Sequence, residues 1–248
     1  MIIVFQATSH RDDFKKFFDS IKHEYIAAML KQIDSSFEYS SESLPLEDVQ
    51  QTGLFDIKYT ESLQGNDYFN GNYKGVKLQI GEISFESKDS KKGDNFFKPS
   101  TLIIAEFNKT INSETIIFDN EFYDNGGTKK VDSLQVISHY KNNSIALENP
   151  EFEAAFSTSS NDEIEARYLL SYSFMERLLN LKYQLDKCKI NVAFSNNKVA
   201  ILLYNKQIFE PSLSKSVKED RIFIRFQKET VTILKIVDAL RLNERIWK

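Results

Sequence analysis

The stretch of residues 148–185 constrains the fold more than any other part of the chain. It opens with Asn149-Pro150, and the proline ring keeps the preceding residue out of the helical region, so a new element begins there. Two S-x-x-E motifs follow, starting at Ser160 and at Ser173. In such a capping box the serine hydroxyl and the glutamate satisfy amides that the first helical turn leaves unpaired. The stretch therefore predicts two short helices, with a break near Ser171.

The side chains of these two predicted helices divide into apolar and polar faces. On the first helix, Ile164, Tyr168 and Tyr172 repeat at helical spacing. On the second, the apolar stripe consists of Met175, Leu178, Leu179 and Leu185, and the wetter side of Arg177, Asn180, Lys182 and Gln184. Such a division is typical of helices that pack one face against a larger body.

Arg167 interrupts the tyrosine and leucine face of the first helix. Its guanidinium group therefore lies near apolar surface and needs a carboxylate or a carbonyl partner. One interpretation is an arginine that binds an anion. The other is a structural ion pair, with Glu210 or Asp119 as candidate partners, or an arginine stem that lies on the surface with its head in water, since buried charges are normally paired.

The composition is that of a globular protein and excludes several classes of function. The chain has 248 residues, of which 41% are hydrophobic, and its net charge is −4. That charge argues against a general nucleic-acid binder, which needs a concentrated positive field. The single cysteine, Cys188, allows no internal disulfide, which suits a reducing compartment. No apolar run approaches the roughly 20 residues that a membrane-spanning helix needs, so we expect a cytoplasmic protein.

The remaining periodicities predict helices at both ends and hairpins between them. The predicted elements are a helix from Asp12 or Asp13 to about Ile33, hairpins within residues 63–85 and 101–118, strands at 131–140 and 144–147, a hairpin of Ile190–Phe194 with Val199–Tyr204, a strand at Ile222–Phe226, a helix at Thr230–Leu242 and a packed Trp247. On the first helix, Lys22 shares a face with other lysines that we expect to be solvated.

We therefore predict an α+β fold. A mostly antiparallel sheet of hairpins is flanked by an N-terminal helix, a central helix pair and a C-terminal helix. Strands occur in runs between helices and not in regular alternation, which disfavours a doubly wound parallel sheet. We expect one domain, residues 1–248, and the best division into two subdomains separates 1–148 from 149–248.

No motif for a cofactor or a metal is found. The glycines of residues 65–81 match neither G-x-G-x-x-G nor the G-K-[ST] ending of a phosphate-binding loop. His10 and His23 have no spaced ligand companions, and His139 has no partner for a catalytic triad. We therefore expect neither a metal site nor a cofactor.

Several sequence blocks together resemble a known family. The blocks are Glu106-Phe107-Asn108-Lys109, Leu147-Glu148-Asn149 with Phe152 and Phe156, Glu165-Ala166-Arg167-Tyr168-Leu169-Leu170, Phe174-Met175-Glu176-Arg177-Leu178-Leu179, Phe209-Glu210-Pro211 and Leu242-Asn243 with Ile246-Trp247. In this order they are similar to the bacterial domain-of-unknown-function family 3137. The family often has proline where this chain has Tyr172, and its members commonly carry N-terminal membrane anchors. The resemblance implies no catalytic residue and no substrate.

Two classes of function remain open. We favour a non-catalytic binding or interaction module on the cytoplasmic side of a membrane-associated assembly, whose partner is a protein or a small ligand and not a nucleic acid. The alternative is a hydrolase that uses Glu148, Glu165 or Glu176 near Arg167 as acid and base. The candidate binding residues are Arg167, Glu165 and Glu176. The first class predicts that these side chains form internal pairs, and the second predicts a deep cleft that two carboxylates share.

Overall fold

Alternating patterns build the strands of this protein, and stripes of apolar residues build its helices. The computed structural model describes residues 20, 22–55, 63–86, 95–106, 110–122, 143–186, 188–210 and 221–243. Within them the strands are β1 (Glu38–Ser40), β2 (Leu63–Tyr73), β3 (Val76–Glu86), β4 (Asn95–Glu106), β5 (Thr115–Asp119), β6 (Ser144–Ile145), β7 (Phe156–Ser160), β8 (Ile190–Ser195) and β9 (Lys198–Leu203). The helices are α1 (22–33), α2 (Leu46–Gln51), α3 (Pro150–Ala155), α4 (Glu163–Leu169), α5 (Tyr172–Gln184) and α6 (Ile222–Ala239).

The described strands form one sheet in the order β1-β2-β3-β4-β9-β8-β5-β7-β6. Every neighbouring pair is antiparallel. The hairpin β2–β3 turns at Lys74 and Gly75, which have positive φ angles of 52° and 84°. Asn196 and Asn197 turn the hairpin β8–β9 in the same way. The predicted α+β fold with a mostly antiparallel sheet is confirmed. The hairpin predicted within residues 101–118 is wrong, because β4 pairs with β3 and β9 whereas β5 pairs with β7 and β8.

The two faces of the sheet are covered differently. Val76, Leu78 and Ile80 are buried and contribute to the larger core, which includes apolar side chains of α1, α3, α4, α5 and α6. Side chains on the other face of the sheet, such as Ile83, belong to a smaller core beneath α2. In a strand successive side chains point to opposite faces, so these two groups of residues lie on opposite sides of the sheet. Helix α2 has only six residues and covers only part of its side.

The predicted strand at Ile222–Phe226 is wrong, because these residues form the first turns of α6. Ile222 and Phe226, four apart, are buried, whereas Ile224 is 51% exposed. That is helical periodicity. A short apolar run is ambiguous between strand and helix, and here the larger core selects the helix.

The helix starts within residues 148–185 also differ from the prediction. Ser160 ends β7, and Asp162 caps α4 by accepting the amides of Ile164 at 2.9 Å and Glu165 at 3.0 Å. Helix α5 begins after Ser171 and not at Ser173, so the predicted break near Ser171 is confirmed.

Some predictions fall outside the described residues. They are the helix start at Asp12 or Asp13, the strand at 131–140 with His139, and the packing of Trp247. The division into two subdomains stays a prediction. Among the helices of the described ranges, none combines the length and the apolar character needed to cross a bilayer.

Candidate functional site

An open hollow lies beside the junction of α4 and α5, where the chain also leaves α6. Its volume is about 840 Å³. The side chains that matter chemically in its lining are Arg167, Tyr168, Tyr172, Glu176, Arg177 and Arg241. Two of the three predicted binding residues, Arg167 and Glu176, therefore lie at one site, and Glu165 does not line it.

Arg167 is held by acidic side chains close to it in space. Its Nε and Nη2 donate to Oε1 of Glu163 at 3.0 and 2.7 Å, and Nη1 donates to Glu148. Nη2 also donates to the carbonyl of Ala146 at 2.9 Å. The predicted partners Glu210 and Asp119 are thus wrong. The hydrogen bonds to Glu163 raise the pKa of the guanidinium group, so Arg167 remains a cation.

Asn149 and Glu176 join α3 to α5. The side-chain oxygen of Asn149 accepts the amides of Glu151 at 3.0 Å and Phe152 at 3.1 Å, which caps α3. Its Nδ2 donates to Oε1 of Glu176 at 2.8 Å. Because Asn149 is only 2% exposed, this bond fixes one wall of the hollow to the core.

Glu165 joins α4 to the segment that leads into β5. Its carboxylate accepts the amide of Ser113 at 2.7 Å and that of Asn112 at 3.2 Å. The hydroxyl of Ser113 donates to the same carboxylate. Hydrogen bonds to a charged acceptor are stronger than neutral ones, so this side chain fastens the helix to the sheet.

An exposed ridge runs along α4 to the start of α5. Its members are Ile164, Tyr168 and Tyr172, which are 84%, 48% and 65% exposed. The sequence predicted that they share a face, but that face points away from the core. Helical spacing defines which residues lie together and leaves open which side of the helix is buried. The ridge borders the hollow, because its two tyrosines also line it.

Comparison with protein-family models places these residues in a family. The model described as "Protein of unknown function (DUF3137)" matches residues 101–242, which is more than half of the chain. The chain belongs to the DUF3137 family. The resemblance seen in the sequence blocks is confirmed, and the matched part of the DUF3137 protein contains the whole hollow.

Two further comparisons add no functional assignment. No curated protein matches the sequence of the DUF3137 protein. Among solved structures, the crystal structure of the mycobacterial trehalose monomycolate transport factor A, TtfA, is similar over 88% of this chain and 95% of that chain. The TM-score is 0.45 and the sequence identity is 10%. A likeness this weak carries no argument about function.

A buried ion pair beneath α5 was missed in the sequence. Lys182, predicted on the wetter side, is 5% exposed, and its Nζ lies 2.8 Å from Oδ1 of Asp119. Asp119 is fully buried and also accepts the amide of Ile190 at 3.0 Å. A second carboxylate, that of Glu121, lies 3.2 Å from the same Nζ. The position of Asp119 at the end of a buried strand was the signal that could have revealed the pair.

A second buried polar group lies beneath α1. Lys22, expected to be solvated, is 7% exposed and donates to Asp67 at 2.7 Å. Near it, Glu82 accepts Nε2 of Gln207 at 3.1 Å, while its other oxygen, Oε2, is buried without a hydrogen-bond partner. Burial raises the pKa of Glu82 to about 7.

Among the described residues, no group of three or more His, Cys, Asp or Glu side chains is arranged to hold a metal ion.

Proposed function

We propose that this DUF3137 protein is a non-catalytic interaction module that binds an acidic segment of a partner protein at the hollow. The observation that carries the proposal is the ridge of Ile164, Tyr168 and Tyr172 beside three arginine side chains. Tyrosine and arginine are the residue types that dominate binding energy at protein interfaces. Exposed apolar side chains that lie together, bordered by polar groups, are typical of such surfaces.

The distribution of carboxylates supports binding over hydrolysis. Acid and base catalysis by a carboxylate pair requires that both face one cleft. Of the three candidates, Glu148 pairs with Arg167, and Glu165 accepts hydrogen bonds from backbone amides. Glu176 accepts a hydrogen bond from the side chain of Asn149. Burial also raises the pKa of the Cys188 thiol, which disfavours the reactive thiolate.

The charge of the hollow favours an acidic occupant. Its lining holds the guanidinium groups of Arg167, Arg177 and Arg241 together with the carboxylate of Glu176, and each of these arginines already has a partner within the protein. The carboxylates that pair with Arg167, from Glu148 and Glu163, are 72% and 61% exposed. Exposed ion pairs of this kind stabilise a fold little, so a carboxylate of the partner can replace them. Guanidinium groups bind carboxylates with two parallel hydrogen bonds.

The cellular setting is part of the proposal and comes from the family resemblance. We infer that the module acts on the cytoplasmic side of a membrane-associated assembly. The acidic segment would then belong to another member of that assembly.

A binding measurement with matched variants tests the proposed function. The probe is a fluorescein-labelled peptide of alternating aspartate and leucine, and the control peptide carries lysine in place of aspartate. We expect saturable binding of the acidic peptide alone, weakened by added salt because exposed charges are screened. Tyr172→Ala should weaken the affinity about tenfold, since a hot-spot side chain contributes at least about 1.4 kcal/mol.

Tyr183→Ala is the matched control for this experiment. Tyr183 is on the same helix and is 64% exposed, almost the same as Tyr172, but it does not line the hollow. We expect the Tyr183 variant to bind like the unmodified protein. Equal losses in the two variants, or equal binding of the acidic and basic peptides, would contradict the proposal.

A further inference from the structure

A second concave surface lies on the sheet face that α2 covers only in part. Its volume is about 430 Å³, and we name it the sheet groove. Side chains from four adjacent strands line it, among them Tyr68 and Asn70 of β2, Gln79 of β3, Glu106 of β4 and Lys198 of β9. The hollow at α4 and α5 shares no lining residue with it.

The strand register places these side chains next to one another. Asn70 is opposite Gln79 in the β2–β3 pair, and Glu106 is opposite Lys198 in the β4–β9 pair. Directly opposite residues of antiparallel strands have side chains on the same face, close enough to touch. The groove therefore carries a row of polar groups from four strands, interrupted by Ile104, which is opposite Gln79.

The polar groups of the groove are held by hydrogen bonds. Asp48 of α2 accepts Nε2 of Gln79 at 2.9 Å and Nζ of Lys198 at 2.9 Å. Burial raises the pKa of the Tyr68 hydroxyl, and the neighbouring side chains of Gln79 and Asn70 oppose that shift. A row that is oriented before binding loses less conformational freedom when a ligand arrives.

The charges of the groove are matched internally. Nζ of Lys77 lies 3.1 Å from Oε1 of Glu106, and Lys198 is paired with Asp48. A charged ligand would have to break the pair of Lys198 with Asp48, whose side chains are only 23% and 22% exposed. A neutral ligand leaves them intact and meets amides and hydroxyls, which both donate and accept hydrogen bonds.

We propose that the sheet groove binds a neutral polyhydroxylated ligand of the sugar class. Sugar hydroxyls donate and accept in the same way as the side chains of Asn70, Gln79 and Tyr68. The tyrosine ring adds an apolar body beside its polar tip, which suits the C–H groups of a sugar ring. The volume of the groove lies within the roughly 300–1,000 Å³ of small-molecule sites.

The test is a titration of the full chain with glucose, N-acetylglucosamine, maltose and cellobiose, followed by backbone amide chemical shifts. At least one of these sugars should produce saturable shifts that map to β2, β3, β4 and β9 around the groove. The affinity should change little with salt, since no net charge is recognised. Gln79→Ala should weaken binding about tenfold, the equivalent of one well-formed hydrogen bond, and Tyr172→Ala should leave it unchanged.

The titration of the unmodified protein can overturn the proposal by itself. Saturable binding by none of these sugars, or shifts confined to residues outside the groove, would show that the groove is a solvated sheet face. If Gln79→Ala does not fold, the shift map of the unmodified protein decides alone. A tenfold loss in Tyr172→Ala would place the sugar in the hollow and would also contradict the proposal.

Discussion

Replacing Asp119 with alanine is expected to lower the free energy of unfolding by about 3–5 kcal/mol. The substitution leaves the ammonium group of Lys182, which is 5% exposed, without its closest carboxylate. It also removes the acceptor of the Ile190 amide at the start of β8. The buried lysine then keeps its desolvation penalty, and only the half-exposed carboxylate of Glu121, 3.2 Å from its Nζ, is left to compensate it. Urea denaturation followed by circular dichroism measures the loss. The dependence of the free energy of unfolding on urea concentration should be unchanged, so that the shift in midpoint reports stability alone.

Two variants show whether this effect comes from the buried charge. In the Asp119→Ala/Lys182→Met double variant both charges are gone, so we expect part of the lost stability to return. Glu106→Ala is the matched surface control, because Glu106 pairs with Lys77 where both side chains are more than half exposed. It should cost less than about 1 kcal/mol. A loss for Asp119→Ala no larger than that for Glu106→Ala would contradict the interpretation.

The second large effect is expected for Glu82→Gln and depends on pH. Burial raises the pKa of Glu82 from 4.5 to about 7. The negative charges of Glu210 and Asp67 add to this shift, and the positive charge of Lys22 opposes it. Between these two pH values the folded carboxyl keeps its proton while the unfolded one loses it. The contribution of Glu82 to the free energy of unfolding is therefore fully present below pH 4.5, and it is lost as the pH rises to about 7.

Glutamine keeps the shape of the side chain and cannot ionise. It can still accept the hydrogen bond from Gln207. Since one unit of pKa corresponds to about 1.4 kcal/mol, Glu82→Gln should exceed the unmodified protein in stability by about 2–3 kcal/mol at pH 8. Below pH 4.5 the two proteins should be nearly equal. The check is urea denaturation of both proteins across this range, and a difference that does not change with pH would refute the assignment.

Much of the fold could be predicted because its local signals agree with its packing. The alternation of Val76–Ile80 indicated a strand with one buried face, and asparagines marked the turn between β8 and β9. The strand predicted at Ile222–Phe226 was wrong, because five residues that are mostly apolar match the two-residue period of a strand as well as the 3.6-residue period of a helix. Lys22 and Lys182 were placed in solvent because the carboxylates that pair with them, Asp67 and Asp119, are distant in sequence.

The sequence named two of the residues that line the hollow and did not give their arrangement. The sequence blocks singled out Arg167 and Glu176, which do line one hollow. Arg241 joins them only through the packing of α6, which no local pattern reveals. The spacing of Tyr168 and Tyr172 indicated a shared helix face, whereas their exposure depends on how α4 and α5 lie on the sheet.

The central claim is that the carboxylates of the sequence blocks fasten helices to the sheet and do not react. The free energy of unfolding of the Glu165→Ala variant, from urea denaturation at neutral pH, tests it most directly. We predict a loss of about 1–2 kcal/mol, because the amides of Asn112 and Ser113 lose a charged acceptor. Unchanged or higher stability would contradict the claim, since removal of a carboxylate kept for chemistry often stabilises a fold.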